Sequence, residues 1–196
     1  YCNHWALVMG RRNTNSQQTP SLFRCTPFDK HNMTYDEFIK VFNKQVQSID
    51  YDKGLLFAID ICKKLYFDYV DFSEKYKWGD KDVLLDAITF VEQLKTNPIN
   101  QKLIDNILIK LDTITPDMDD FGSDELGSYA LNACVAVCNL VQFVSDKKRE
   151  HIFEIGTCLT DTIDFKIQEQ KTLTEQEIDN TPLMIETRKY LLDKSR

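Results

Sequence analysis

ELGSYALNACVAVCNLVQFVS, residues 125–145, is the most apolar stretch of the chain and decides how the rest is read. Apolar residues cover nearly every side of a helix drawn through it, from Leu126 and Tyr129 to Phe143 and Val144. A surface helix needs only one apolar stripe, so a helix apolar all round belongs at the centre of a bundle or at an oligomer interface. Asn132, Asn139 and Gln142 interrupt the run, which falls short of the ~20 apolar residues that span a bilayer. The expectation is a central core helix and no membrane-spanning segment.

The flanking sequence repeats the helical period with a narrower stripe. Downstream of a cap at Asp146, Ile152, Ile155, Leu159, Ile163 and Ile167 mark one face of a long helix to about Gln170. Thr174 to Glu177 reads as a capping box opening a short helix. Thr181-Pro182 supplies an N-cap and a proline at the first helical position for a last helix. Upstream, Leu103 to Ile114 and Val83 to Leu94 form two more stripes, ended by Thr115-Pro116 and Asn97-Pro98. Before them comes a long helix through Leu55, Ala58, Ile59, Cys62, Leu65, Tyr69 and Phe72, with an expected stop at Trp78-Gly79. Thr34-Tyr35-Asp36-Glu37 is a further capping box, followed by Phe38, Val41 and Phe42. With only six glycines and five prolines, long helices are favoured over a turn-rich β protein. The expected fold is all-α, a single-domain bundle of about seven or eight helices over residues 33–196.

Residues 1–32 differ in kind. Arg11, Arg12, Arg24 and Lys30 against Asp29 give them +3, leaving −10 for the remainder of a chain of net charge −7. They show no helical period, and Met33 directly precedes the first capping box. They read as a leader, tag-like or flexible N-terminal segment, with Met33 as the natural start. Without an apolar h-region there is no secretory signal, so a cytoplasmic location is expected. Cys62, Cys134, Cys138 and Cys158 sit inside apolar patterns, as reduced core thiols would.

The acidic balance argues against nucleic-acid binding, which needs a Lys/Arg patch, and against an anionic membrane surface. Two polar groups of residues are candidates for function. Asp117-Met-Asp119-Asp120-Phe121-Gly122 begins like a calcium loop, but Phe121 and Ser128 occupy two ligand positions, so capping of the apolar helix by these acids and Asp124 is the expected role. Glu150, His151 and Glu154 form the one histidine–carboxylate group outside the N-terminal segment. Cys134 and Cys138 share a helix face, yet no CxxC or histidine accompanies them, and no metal site is expected. Nucleophile-elbow, Walker, dinucleotide and HExxH motifs are absent from the sequence, no cofactor is expected, and catalytic residues are unknown.

From about Lys53 to Lys194 the chain resembles the YjaG-like family of uncharacterised bacterial proteins, the domain of unknown function 416. The resemblance is carried by Phe57-Ala58 through Ile61-Cys62, Tyr69 through Phe72, Trp78-Gly79-Asp80, and Pro116-Asp117 with Asp120-Phe121. It continues through Tyr129 to Ala136 and Leu173 to Pro182. It implies a cytoplasmic helical bundle and a homodimer, and it supplies no catalytic residues. The family usually carries an aspartate where this chain has Asn132, which lowers the expectation of catalysis here. Three functions remain open: a non-catalytic protein-binding module, immunity- or antitoxin-like, meeting a basic protein partner; an oligomeric structural or regulatory protein; and an enzyme using the acidic loop. The first is preferred. Its candidate binding surface is Asp117, Asp119, Asp120, Asp124, Glu150, His151 and Glu154.

Overall fold

The structure, a computed structural model, describes residues 33–94, 100–121, 124–169 and 171–196. The expectation for residues 1–32 lies outside the described residues. Among the described residues there are nine helices and no strand. They are α1 (Tyr35–Ser48), α2 (Tyr51–Tyr76), α3 (Lys81–Gln93), α4 (Gln101–Ile114), α5 (Met118–Phe121), α6 (Glu125–Asp146), α7 (Glu150–Gln168), α8 (Glu175–Asp179) and α9 (Pro182–Lys194). The all-α bundle expected from the period is present; the count rises because α5 and α8 are single short turns.

α6 is the axis of the bundle. It packs against α2, α3, α4, α5 and α7, while α1 and α9 lie on α7. By length and composition α6 is apolar enough to cross a membrane, yet 78% of that window is buried by its neighbours. The all-round apolar pattern is thus absorbed by helices on several sides, as the sequence requires. α2 and α3 run antiparallel, fixed in register by Lys63–Glu92 and Lys81–Glu74, each at 2.6 Å. One continuous core extends from Met33 to Leu192.

Local capping holds where sequence placed it. Thr34 and Thr174 form complete capping boxes with Glu37 and Glu177, and Thr181 caps α9 ahead of Pro182. Two boundaries differ. Lys77, not Gly79, takes the left-handed C-cap of α2 (φ 53°), with Gly79 left-handed two residues on (φ 74°). α6 runs through Asp146 and ends on a left-handed Lys147 (φ 61°), so the next helix starts at Glu150, not at Asp146. Asp146 instead folds back to accept the Lys148 N–H at 3.0 Å, closing the turn between the two helices.

Candidate functional site

The seven acidic and histidine residues singled out in sequence fall into two groups at opposite ends of α6. That helix has 22 residues and so spans about 33 Å. They do not form one surface.

At the N-terminal end, Asp117 caps the four-residue α5, accepting the Asp119 N–H at 2.9 Å. Asp124 caps α6 through the Leu126 N–H at 2.9 Å and pairs with Lys75 of α2. The Lys75 ammonium, then the Tyr76 hydroxyl and the Leu126 N–H, bring the Asp124 carboxyl down to about 2. Between these caps, Phe121 packs into Phe72, Tyr76 and Trp78, with ring centroids 5.0–5.3 Å apart. Its carbonyl lies where a Cβ on Gly127 would come within 2.6 Å, so the glycine lets the loop rest directly on the first turn of α6. The capping of α6 expected of the loop is therefore present for Asp124, while Asp117 caps α5 instead. Asp119 and Asp120 are exposed, and their carboxylates have no hydrogen bond or ion pair among the described residues.

At the other end, His151 meets partners that its sequence neighbours did not suggest. Its Nδ1 lies 2.9 Å from Asn139 Oδ1, and its Nε2 lies 3.1 Å from Asp146 Oδ1. Burial alone would raise the Asp146 carboxyl. The Lys148 N–H, the Lys148 ammonium and His151 outweigh it and hold the group at about 2. Glu150 and Glu154 are exposed. The histidine thus braces the α6–α7 turn. Among the described residues no group of three or more His, Cys, Asp or Glu is placed to hold a metal ion. The four described cysteines are buried, and none forms a disulfide among the described residues; burial pushes the Cys134 thiol up to about 12 and raises those of Cys62 and Cys158.

A third polar group was not found from sequence. A groove of about 320 Å³ opens between α2, α7 and α9, floored by Leu159, Ile163 and Leu183. Lys166 of α7 pairs with Asp68 of α2, while its ammonium lies 5.3 Å from the centroid of the Tyr129 ring. Burial raises the Asp68 carboxyl against the lowering effect of Lys166. Lys64 lies over the Tyr190 ring at 5.0 Å, and the Tyr190 hydroxyl donates to Asp60 at 2.6 Å. Behind the wall, fully buried Asn132 donates through Nδ2 to Thr162 Oγ1 at 3.0 Å, and Thr162 donates to the Cys158 carbonyl. The Asn132 Oδ1 has no hydrogen-bond partner among the described residues. Only the unusual placement of an asparagine within the apolar helix signalled this group; its partners lie 30 or more residues away along the chain.

Such a bundle, built around α6 with a polar groove between α2, α7 and α9, belongs to the class of all-helical proteins. The chain belongs to the DUF416 family, "Protein of unknown function", whose model matches residues 41–193. A crystal structure of a DUF416 family protein from Shewanella baltica OS155 is similar, with a TM-score of 0.67 and 26% identity over 78% of this chain and 82% of that one. No curated protein matches the chain.

Proposed function

We propose that this chain is a non-catalytic protein-binding module of the cytoplasm that presents a rigid acidic corner to a basic protein partner, as an immunity protein or antitoxin does. The observation that carries this reading is the pair Asp119 and Asp120. Both carboxylates are uncompensated among the described residues, and they project from a turn locked by the Phe121 aromatic cluster. A preorganised charged surface binds without first being ordered, and its field speeds encounter with an opposite charge. Asp124 drops out of the surface because Lys75 already neutralises it. Glu150, His151 and Glu154 open α7 beyond the far end of α6, too distant to share one small contact. Buried cysteines that form no disulfide among the described residues agree with a reducing compartment.

The test is a pull-down from the native cell at low and high salt, run with the chain and with Asp119→Lys/Asp120→Lys. A basic partner that is released by salt and lost in the double variant supports the reading. No partner, together with a turnover abolished by Asp117→Ala or Glu154→Ala, overturns it in favour of an enzyme. A homodimer is a second reading, supported by Phe67 of α2 and Ile109 of α4, which point outward at 68% and 64% exposure. Sedimentation of the chain and of Phe67→Glu distinguishes it: a dimer dissociated by the glutamate favours it, and a monomer throughout rejects it.

A further inference from the structure

The groove between α2, α7 and α9 has chemistry that neither the acidic corner nor the fold requires. Four charged side chains line it, Lys64 and Lys166 against Asp68 and Glu186, so it is neutral in a chain of net charge −7. The inner pair, Lys166 and Asp68, satisfies itself. The outer two do not: Lys64 and Glu186 are exposed, and neither has an ion-pair partner among the described residues. Glu186 stands one helical turn before Tyr190 on α9, and the Lys64 ammonium hangs 5.0 Å from the centroid of that tyrosine ring. Side chains four apart on a helix are neighbours, about 5–6 Å between Cβ atoms. One free ammonium and one free carboxylate therefore overhang the same turn of α9, above an apolar floor.

A net-neutral groove of this kind disfavours a nucleotide or other polyanion, and equally a bare cation. A volume of about 320 Å³ is at the small end of ligand sites, which run to ~1,000 Å³.

We propose that this groove binds a small zwitterion with an apolar body, an α-amino acid of the leucine type. Its carboxylate faces Lys64, its ammonium faces Glu186, and its side chain covers Leu159, Ile163 and Leu183. This assignment is independent of the acidic corner, which lies at the N-terminal end of α6, so either can fail without the other.

The experiment is titration calorimetry of the full chain with L-leucine, N-acetyl-L-leucine and L-leucinamide, repeated on Lys64→Gln and Glu186→Gln. Both positions are exposed, and circular dichroism confirms that the variants fold. L-Leucine is expected to bind. N-acetyl-leucine, without the ammonium, and leucinamide, without the carboxylate, are each expected to bind about 10- to 100-fold more weakly, the worth of one charge-assisted hydrogen bond. Lys64→Gln should remove the preference for leucine over leucinamide and leave the preference over N-acetyl-leucine. Glu186→Gln should do the reverse. Absence of binding by L-leucine, isoleucine, valine and methionine at millimolar concentration overturns the proposal. So does equal binding of the charged and capped forms, or variants that leave both preferences intact.

Discussion

Replacing Arg188 by methionine should cost this protein about 3 kcal/mol. The guanidinium is 5% exposed and sits where the beginning and end of the helical domain meet. Its Nη2 pairs with Asp179 Oδ1 at 2.6 Å and its Nη1 donates to the Met33 carbonyl at 2.9 Å. The Tyr35 and Phe38 rings flank it at 5.7 and 5.5 Å. Methionine keeps the apolar stem but removes both hydrogen bonds and the charge. Breaking a buried pair from one side costs about 3–5 kcal/mol, because the remaining charge stays buried alone. Asp179 keeps the Tyr35 N–H at 3.3 Å, which places the effect at the lower end. With a urea m-value of roughly 2 kcal/mol/M, the unfolding midpoint should fall by about 1.5 M. Adding Asp179→Asn should recover part of the loss, since the orphaned charge is then gone. A midpoint shift under about 0.5 M at unchanged m, or no recovery in the double variant, would refute the reasoning.

Asp161 gives a pH dependence of opposite sense to that of most carboxylates. Burial, then the charges of Asp164 and Glu154, raises its carboxyl to about 6 from an ordinary 3.8. Its ionisation therefore opposes folding above pH 6, and the opposition fades as pH falls from 6 toward 4. Asp161→Asn should raise the melting temperature at pH 7.5, by on the order of 2 kcal/mol in stability, with the gain vanishing near pH 4; a variant no more stable at pH 7.5 contradicts this. Gly156→Ala would place a Cβ 2.4 Å from the Phe42 ring, itself stacked on Phe38 at 5.4 Å. Overpacking of about 1–3 kcal/mol should exceed the ~1 kcal/mol helix-propensity gain, and a raised melting temperature would show that the ring yields. In native protein, Cys62, Cys134 and Cys158 should resist alkylation mapped by mass spectrometry, and Cys134→Asp should cost about 2–5 kcal/mol; fast native labelling of Cys134 would place it at the surface.

What the sequence disclosed were features decided within a few residues. The boxes at Thr34 and Thr174 need only their own i+3 glutamates, and the burial of α6 follows from its composition. What it withheld depends on which helix packs against which. Lys166 finds Asp68 across 98 positions, Tyr190 finds Asp60 across 130, and both join stripes whose period is equally compatible with other neighbours. His151 shows the same limit at short range. Its i+3 neighbour Glu154 was the expected partner, but the left-handed Lys147 turns the chain so that Asp146 and Asn139 face the ring instead. The acidic loop was legible as a cap, while its rigidity came from Phe121 meeting aromatic residues of α2 more than 40 positions earlier.

The position of α1 has a consequence for birth of the chain at the ribosome. Its buried stripe, Phe38, Phe42 and Val46, rests on α7 and α9, and Met33 is held by a residue 155 positions later. At about 5–20 residues per second of synthesis, roughly 10–30 s pass before that partner exists. Until α7 is made, the apolar face of α1 has little native to cover it beyond Phe57 of α2, and its α9 contacts come last. The nascent chain therefore waits, exposed to chaperones and to misdirected contacts, and closes only when α9 has emerged.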